Sequence, residues 1–400
     1  MIASTHTDII VVGGGPAGSL TAYLLHQAGF SVRLFEANPT VKRKICGEFL
    51  CFEGVTILGQ AGLSALLEGD GALPGNGVKI VSNTHGVIKS DFPQVKRDEP
   101  GGYCLNRQVF DEALLKVTEG AGVMLHRGSP ITHLRHQSPG WQVTTQLGAT
   151  YTCDLLVGAD GFRSIVARQL GLTIPAPKKR YALRCFLPTR RKNERVIEMH
   201  LLDEGNYIGI DVVEDYCVNF SIVANGDTLK QHGGAEGVIR HYYQTHPVLQ
   251  ENIMLPDPMP PIEAMSPVSH RVKDCIAPDA VLVGDAGGFI EPLTGEGMTI
   301  ALWTATTLAK QLARCRENRA WQQRNRYLRA YKRQKQWHYF QKSTLAQFLY
   351  WFIKQEQAVD QAYRFLSQRP QCQEAFTGVI NNTYTPLRGF CALALAALIG

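Results

Sequence analysis

Residues 8–37 read DIIVVGGGPAGSLTAYLLHQAGFSVRLFEA, and this stretch decides the fold. A short apolar strand runs into the glycine pattern Gly13-x-Gly15-x-x-Gly18, and a helical stretch follows it. A second strand-like run then ends at the acidic residue Glu36. Such glycines permit a tight turn, a close approach of the backbone to a pyrophosphate and close packing of helix on strand. Because all parts occur in order, the stretch predicts a dinucleotide-binding unit with Glu36 on a ribose.

Two later segments repeat the pattern of a strand followed by a glycine turn. Residues 154–168, DLLVGADGFRSIVAR, place Asp160-Gly161 at the turn. Residues 281–302, VLVGDAGGFIEPLTGEGMTIAL, place Gly284-Asp285 after a strand. In the latter segment, Gly295-Glu296-Gly297 precedes a long run of apolar residues at helical spacing, which predicts a helix from Gly297.

The three motifs, in this order, resemble the flavoprotein superfamily typified by p-hydroxybenzoate hydroxylase, and within it most closely the geranylgeranyl reductase-like branch. The resemblance covers about residues 8–335. It implies an α/β fold, in which a Rossmann-like FAD-binding domain carries an inserted antiparallel β-sheet substrate domain and C-terminal helices. It also implies FAD as the cofactor and NADPH or NADH as the reductant.

The resemblance further implies a discontinuous arrangement of domains. We expect the FAD-binding domain to comprise residues 1–72, 101–178 and 268–335, the substrate domain residues 73–100 and 179–267, and a C-terminal helical region residues 336–400. The alternating stretch NYIGIDVVEDYCVNFSIV at residues 206–223 predicts a hairpin of the substrate domain. A cavity between two such domains is a common place for a ligand.

The resemblance assigns the cofactor contacts to the three motifs and to Arg107 in LNRQVFDEALL. In the family, the aspartate matching Asp285 binds the ribityl chain, and the turn matching Asp160-Gly161 supports both the flavin and the nicotinamide. The chemistry of Gly297 agrees, since a helix N-terminus stabilises the negative charge of a reduced flavin. The residues expected to bind FAD are Gly13, Gly15, Pro16, Ala17, Gly18, Glu36, Arg107, Asp160, Gly161, Gly284, Asp285, Pro292, Gly295, Gly297 and Met298.

The catalytic candidates lie in KICGEFL, residues 44–50. In this superfamily the segment after the second strand folds back along the flavin, and geranylgeranyl reductases have a Cys-Gly pair that matches Cys46-Gly47. Cys46 would shape the cavity, form a transient adduct or tune the flavin, unless it is a buried thiol that only fills space. Glu48 would act as an acid or base, unless its carboxylate only receives backbone N–H bonds.

The hairpin departs from the family pattern. Prenyl reductases have an aromatic-x-Trp-x-Phe-Pro run there, whereas residues 207–212 read YIGIDV, so that only Tyr207 matches. Gly209 in place of the tryptophan leaves room for a bulkier or more rigid substrate. The Trp-x-Trp-x-Ile-Pro run of halogenases is also absent, which argues against halogenation.

The sequence leaves several functions open. The leading one is an NAD(P)H-dependent FAD monooxygenase that hydroxylates an apolar, aromatic or polyketide-like substrate. The second is a flavin-dependent reductase of C=C bonds in a prenyl or lipid-like substrate. Oxidation of side chains in a partner protein and a non-catalytic binding protein on the same fold are the further alternatives.

Charge and cysteine content predict the surroundings of the protein. The ten cysteines are scattered without metal-ligand spacing, which predicts reduced thiols in a cytoplasm and no metal site. Of the net charge of +6, residues 310–342 carry +10 and the remainder −4. This basic segment is either a solvated face or a docking site for an anionic membrane surface or a carrier protein, and no motif indicates nucleic acid. The apolar run 391–400 has half the ~20 residues that span a bilayer, so we expect a cytoplasmic protein, at most peripheral at the inner membrane surface.

Overall fold

The computed structural model describes residues 5–69, 71–82, 86–93, 100–175, 180–190, 195–291, 293, 295–385 and 388–389. The strands are β1 (His6–Val12), β2 (Val32–Phe35), β3 (Phe49–Cys51), β4 (Ala72–Gly75), β5 (Gly77–Ser82), β6 (Gly86–Asp91), β7 (Gly102–Leu105), β8 (Met124–His126), β9 (Ile131–His136), β10 (Trp141–Thr145), β11 (Thr150–Gly158), β12 (Arg180–Pro188), β13 (Val196–Leu201), β14 (Tyr207–Glu214), β15 (Cys217–Asn225), β16 (Glu263–Met265), β17 (Ile276–Ala277) and β18 (Ala280–Leu282). The helices are α1 (Pro16–Gln27), α2 (Phe52–Gln60), α3 (Arg107–Gly120), α4 (Ile165–Gln169), α5 (Gly226–Gln231), α6 (Ala235–Thr245), α7 (Pro247–Asn252), α8 (Gly297–Glu317), α9 (Arg324–Phe352), α10 (Glu356–Ser367) and α11 (Pro370–Ile380).

The first sheet positions the three glycine motifs. Among the described residues it has eight strands, in which β17, β18, β11, β1, β2 and β8 are successive neighbours and β10 and β9 extend β11. β1 pairs in parallel with β2 and β11, and β11 pairs in parallel with β18. The carboxyl ends of these strands therefore meet at one edge, where Gly13, Glu36, Asp160 and Gly284 follow them.

The second sheet is mainly antiparallel and has seven strands among the described residues, in the order β16-β12-β15-β14-β13-β5-β6. β14 and β15 form the hairpin that the sequence predicts. One face packs on α6 and α7 through a cluster that includes Ile208, Phe220, Ile239 and Tyr242. Because side chains alternate along a strand, Gly209 and Asp211 lie on the opposite face. The first and second sheets together confirm the α/β class with an inserted antiparallel sheet.

A small third sheet, which the sequence did not suggest, joins the loop after β2 to the rest of the chain. It consists of β3, β7 and β4, all antiparallel, with β7 in the middle. Its strands are only three or four residues long and come from distant parts of the chain. The pairing of β3 with β7 fixes the end of the KICGEFL segment.

Of the C-terminal helices, α9 contacts β17 of the first sheet, whereas α10 and α11 pack on β6 of the second sheet. α8 lies against α1, and α9 lies against α8. The sequence suggests separate basic and apolar helical stretches after residue 319, but α9 is one helix of 29 residues. Its cations are not all on the surface, since Lys335 and Lys342 are buried. No helix within the described ranges is long and apolar enough to cross a membrane.

Candidate active site

The glycine loop after β1 is shaped by two close backbone contacts. Gly13 has a φ of +106°, and a Cβ atom there would lie 2.5 Å from the carbonyl oxygen of Ala159. A Cβ atom on Gly18 would lie 1.8 Å from the carbonyl oxygen of Gly13. Only glycine avoids both clashes, so this loop and the start of α1 keep the close packing that the sequence predicts.

Glu36 lies beside this loop at the end of β2. Its Oε2 atom accepts a hydrogen bond from the backbone N–H of Gly14 at 2.8 Å. Its Oε1 atom accepts bonds from the backbone and side-chain N–H groups of Asn38 at 2.9 and 3.0 Å. These bonds fix the carboxylate next to the loop, and each oxygen retains capacity to accept a further bond from a ribose hydroxyl.

The start of α1 faces a cation from the KICGEFL segment. Gly15 is the N-cap residue of α1, and Pro16 and Ala17 in the first turn are buried. The Lys44 ammonium lies 3.2 Å from the position that a Cβ atom on Gly15 would occupy. The helix N-terminus and the ammonium together make this end of the loop suitable for a pyrophosphate.

Arg107, at the start of α3, is buried in a two-point ion pair. Its Nε and Nη2 atoms each donate to the Asp111 carboxylate at 2.8 Å. Burial disfavours the guanidinium charge, but attraction to Asp111 and to Cys46 raises the pKa of Arg107 above its ordinary value. The charged guanidinium in turn opposes the effect of burial on the Cys46 thiol and on Asp285. Arg107 therefore links the catalytic candidate to the third glycine motif.

Asp285 follows β18 and presents a partly buried carboxyl to the same space. Burial raises its pKa to about 6, while Arg107 and Lys44 act in the opposite direction. Its carboxylate forms no hydrogen bond to any residue that the structure describes. Gly284, just before it, has a φ of +55°, and a Cβ atom there would lie 2.7 Å from the Cβ of Ala17. The third motif is thus packed against the start of α1.

The Asp160-Gly161 turn has a clear structural role. Asp160 Oδ1 accepts from the Ser164 hydroxyl at 2.6 Å, and Oδ2 accepts from the backbone N–H of Ile165 at 2.6 Å. Burial raises the pKa of Asp160, and the bond from Ser164 opposes this shift. The carboxylate therefore holds the start of α4, while a contact of Asp160 and Gly161 with the cofactor stays a prediction.

The start of α8 leaves open space where the sequence predicts a flavin. The helix begins at Gly297, as the sequence predicts, and Met298 is buried. A Cβ atom on Gly295 or Gly297 would meet nothing closer than 3.8 Å. Pro292, the remaining predicted contact, lies outside the described residues.

Glu296, between these two glycines, is held by residues from the C-terminal part of the chain. It is buried and accepts hydrogen bonds from the Lys342 ammonium of α9 and from the Asn382 side chain amide. Asn382 also donates to the Cys51 thiol at 3.2 Å. The C-terminal part of the chain therefore fixes the loop that leads into α8.

The Cys46-Gly47-Glu48 segment lies between the first sheet and the inserted sheet. Cys46 is half-buried, its Sγ atom accepts the backbone N–H of Glu48 at 3.3 Å, and burial raises the pKa of its thiol. Glu48 is fully buried and accepts two hydrogen bonds from Arg43, both at 2.9 Å. A second guanidinium, that of Arg184, lies 3.8 Å from it. Glu48 is thus held by cations rather than by the backbone N–H groups that the sequence suggested, and a catalytic role for it stays a prediction.

Side chains of the inserted sheet hold this segment in place. Asn219 donates to the carbonyl oxygen of Cys46 at 2.8 Å, and Arg184 donates to that of Lys44 at 2.5 Å. Both side chains are buried. Sequence reasoning missed them because they lie 173 and 140 residues from the carbonyls that they bind and become their neighbours only when the chain folds.

Asp211 is the functional candidate that sequence reasoning passed over. It lies on β14, is buried, and accepts one hydrogen bond, from the Cys104 thiol at 3.7 Å. Its Oδ2 atom lies 3.8 Å from the Cβ position of Gly47. Burial, and then the nearby Glu48 carboxylate, raise the pKa of Asp211 well above its ordinary value. An acidic residue on the alternating inward face of a hairpin was the signal in the sequence.

The face of the inserted sheet that carries Asp211 has open space beside this residue. Gly209 precedes Asp211 by two residues on the same face, and a Cβ atom on Gly209 would meet nothing within 4 Å. Along the same face, Tyr207 and Val223 belong to an apolar cluster with Leu293 and Tyr350. Asp211 is thus a buried carboxyl with a raised pKa that pairs with Asn219, and Gly209 pairs with Ser221, so the apolar part of this face begins at Tyr207 and Val223.

These residues fit FAD. The glycine loop with Lys44 would hold the pyrophosphate, the Asp285 carboxylate would accept bonds from the ribityl hydroxyls, and the open start of α8 would receive the flavin ring. Within the described residues, no group of His, Cys, Asp and Glu side chains is placed to hold a metal ion.

Comparison with known proteins identifies the family. Residues 6–338 match the FAD-binding domain family, and the chain belongs to this family of FAD-binding flavoproteins. It is 27% identical to a menaquinone reductase of Mycolicibacterium smegmatis over 77% of this chain and 76% of that protein. It is 29% identical to digeranylgeranylglycerophospholipid reductase 2 of Methanosphaera stadtmanae over 74% of this chain and 75% of that protein.

The fold agrees with this identification. A flavoprotein/dehydrogenase of Cytophaga hutchinsonii has a similar structure, with a TM-score of 0.80, 17% identity and coverage of 98% of both chains. The resemblance to the p-hydroxybenzoate hydroxylase superfamily is confirmed, and the protein is an FAD-dependent oxidoreductase.

Proposed function

We propose that the protein is a flavin-dependent reductase that saturates carbon–carbon double bonds in an apolar, lipid-like substrate. Asp211 carries the proposal, because it is a buried carboxyl with a raised pKa, beside the Cys46-Gly47 loop and next to the open space at Gly209. Saturation of a double bond needs an electron pair and two hydrogens, one of them a proton, and a carboxyl with a raised pKa can donate that proton at neutral pH.

The protein and its cofactor would divide this chemistry. Bound FAD, reduced by NADPH or NADH, supplies the electron pair and one hydrogen to one carbon of the double bond. Asp211 gives its proton to the other carbon, and the resulting carboxylate regains a proton from water because burial favours its neutral form. Asn219 and Arg184 hold the 44–46 backbone, and the apolar cluster around Tyr207 and Val223 excludes water from the substrate.

The names of two relatives support a lipid-like substrate. One is a menaquinone reductase, and the other is a reductase of a digeranylgeranylglycerophospholipid. At identities below 30%, the apolar cluster that includes Tyr207 and Val223, on the same face as Gly209, is the feature of this chain that agrees with them. The missing tryptophan at Gly209 indicates a substrate wider than a bare prenyl chain, such as a chain attached to a ring.

Hydroxylation, the reaction that the sequence favours, is the second candidate. The space at Gly209 supports it as well, since a rigid ring fits where the family pattern has a tryptophan. Hydroxylation and reduction use the same cofactor contacts. The raised pKa of Asp211 favours reduction as our first choice, because saturation of a double bond needs a proton delivered to carbon.

Anaerobic turnover tests the proposal. Purified holoenzyme is incubated with NADPH or NADH and with a detergent-solubilised polyprenyl quinone or polyprenyl glycerolipid, and the product is analysed by mass spectrometry. We expect a product that has gained two hydrogens without oxygen, and a loss of at least about 100-fold in kcat for Asp211→Asn. The matched control Asp227→Asn, at an exposed position, should keep full activity. A product that has gained an oxygen atom, only in the presence of air, would instead establish the hydroxylase.

A further inference from the structure

The C-terminal half of α9 exposes a row of four large aromatic side chains. Trp337, Phe340, Phe348 and Trp351 are exposed to 63%, 61%, 55% and 56%. Their spacing places them on one face of the helix over about 21 Å, and we call this row the aromatic face. The rings of Trp337 and Phe340 lie 6.0 Å apart, and those of Phe348 and Trp351 lie 6.1 Å apart. Polar residues such as Thr344 lie between the two pairs, and large exposed apolar side chains grouped in this way on a surface indicate a binding partner.

The aromatic face continues into a cationic one toward the start of α9. Arg326, Arg329 and Arg333 lie on the same side of the helix and are exposed. None of these arginines forms an ion pair within the described part of the chain. α9 contains no acidic residue, so nothing on the helix itself neutralises them. The partner that complements this surface is both apolar and anionic.

The other cations of α9 are engaged inside the protein. Lys332 pairs with Asp274, and Lys335 donates to the carbonyl oxygen of Gly287 at 2.6 Å. Lys342 pairs with Glu296. The cations of α9 that follow Arg324 are therefore divided between internal contacts and the three exposed arginines.

The inner side of the same helix segment forms a wall of the pocket. Leu349 and Tyr350 pack in the apolar cluster with Tyr207 and Val223, on the face of the inserted sheet that carries Asp211. The guanidinium of Arg180 lies 4.5 Å from the centre of the Tyr350 ring and fixes this contact. Only the width of one helix separates the aromatic face from the pocket.

We propose that the aromatic face and the three arginines dock on the surface of an anionic lipid bilayer. A helix that lies in the plane of the interface places aromatic rings at the level of the headgroups and arginines on the phosphates. The biological use of this docking rests on the proposed function, since an apolar substrate would then leave the bilayer beside the pocket. Docking itself requires no turnover.

Vesicle co-sedimentation of the full-length holoenzyme tests this proposal. We expect binding to phosphatidylcholine vesicles with about one third phosphatidylglycerol, and weaker binding at high salt because exposed charges are screened. The variant R326Q/R329Q/R333Q should lower the partition coefficient on the order of 100-fold. The control K310Q/R314Q/K116Q removes three exposed charges elsewhere and should change it less than about fivefold. In W337Q/F340Q/F348Q/W351Q, binding and the quenching of tryptophan fluorescence by brominated lipids should be lost.

Other outcomes would overturn the proposal. They are a holoenzyme that stays in the supernatant at low salt, equal losses in the arginine variant and its control, and a dimer that the four aromatic substitutions dissociate. Binding that occurs only after removal of residues 390–400 would show that this segment covers the face, which also contradicts the proposal. If docking is observed but detergent-solubilised lipids are not reduced, the proposed function fails and the docking proposal stands.

Discussion

Asp211 shows how one substitution within a family pattern changes the chemistry available to a site. A phenylalanine at this position of β14 would only fill space, whereas a carboxyl in the same surroundings holds a proton. The Glu48 carboxylate nearby adds to the effect of burial, and the Cys104 thiol is the single hydrogen-bond donor to Asp211 within the described residues. Such a group lowers stability in exchange for reactivity.

The pH dependence of unfolding should reveal the buried carboxyl. Below about pH 4, Asp211 is protonated in both the folded and the unfolded state and has no effect. Above that pH the unfolded state ionises while the folded state keeps its proton, so the free energy of unfolding falls by about 1.4 kcal/mol per pH unit until the folded pKa is reached. Relative to the wild type, Asp211→Asn should therefore gain stability as the pH rises above about 4.

Urea unfolding at several pH values measures this difference. The control Asp227→Asn removes a carboxyl that is 95% exposed and should give a difference that does not change with pH. A difference between Asp211→Asn and wild type that is equally flat would mean that Asp211 is ionised in the folded protein.

At the scale of the element, α8 and α9 act as one unit around Glu296. Glu296 ends the loop before α8, and Lys342 reaches it from the middle of α9. Asn382, beyond α11, donates to the same carboxylate. The start of the helix expected to face the flavin is therefore positioned by residues far along the chain.

Substitution of Lys342 should show how far the stability of the protein depends on its ion pair with Glu296. In Lys342→Met, Glu296 keeps its burial but loses its charged partner, which should lower the free energy of unfolding by about 3 kcal/mol. The double variant Lys342→Met with Glu296→Gln should recover most of the loss, because the uncompensated charge is gone. Arg333→Met, at an exposed position of the same helix, should change stability by less than about 0.5 kcal/mol in the same urea titrations. Equal effects of Lys342→Met and Arg333→Met would contradict this explanation.

The elements with local signals could be predicted from the sequence, and those made by distant pairings could not. The glycines start α1 and α8, and alternation marks the β14–β15 hairpin, because each signal lies within about twenty residues. The third sheet joins β3, β4 and β7, whose strands of three or four residues carry too little periodicity to be recognised.

The site residues likewise divide into those that a local sequence motif identifies and those that it does not. Glu36 and Asp285 follow strands, so that motif order suffices to find them. Arg184, Asn219 and Lys342 belong to no sequence motif. Their roles arise only from contacts with residues that lie 140, 173 and 46 positions away, respectively. The resemblance supplied the cofactor, but it could not supply the raised pKa of Asp211, which depends on burial.

At the scale of the whole molecule, the cofactor would bridge parts of the chain that are distant in sequence. The glycine loop, Arg107, Asp285 and the start of α8 surround one space, and FAD bound there would favour the folded state by mass action. FAD at about 100 times its Kd should raise the free energy of unfolding by about 2.7 kcal/mol.

Two glycine substitutions distinguish stabilisation by bound FAD from a change in the stability of the protein itself. Gly18→Ala places a Cβ atom against the Gly13 carbonyl and should abolish the FAD-dependent rise in Tm. Gly120→Ala, at the exposed end of α3 with nothing within 4 Å of the added atom, should keep that rise and add about 0.5 kcal/mol of stability. Calorimetry with and without FAD makes the measurement, and an undiminished FAD response in Gly18→Ala would place the cofactor elsewhere.

The bond between Asn382 and Glu296 also affects the order in which the site is completed during translation. A ribosome releases the glycine loop early, whereas this loop-anchoring amide lies much further along the chain and emerges later. At about 5–20 residues per second, the nascent chain waits on the order of tens of seconds between the two events. FAD that binds during translation before Asn382 emerges would therefore meet a site in which the loop before α8 is not yet anchored.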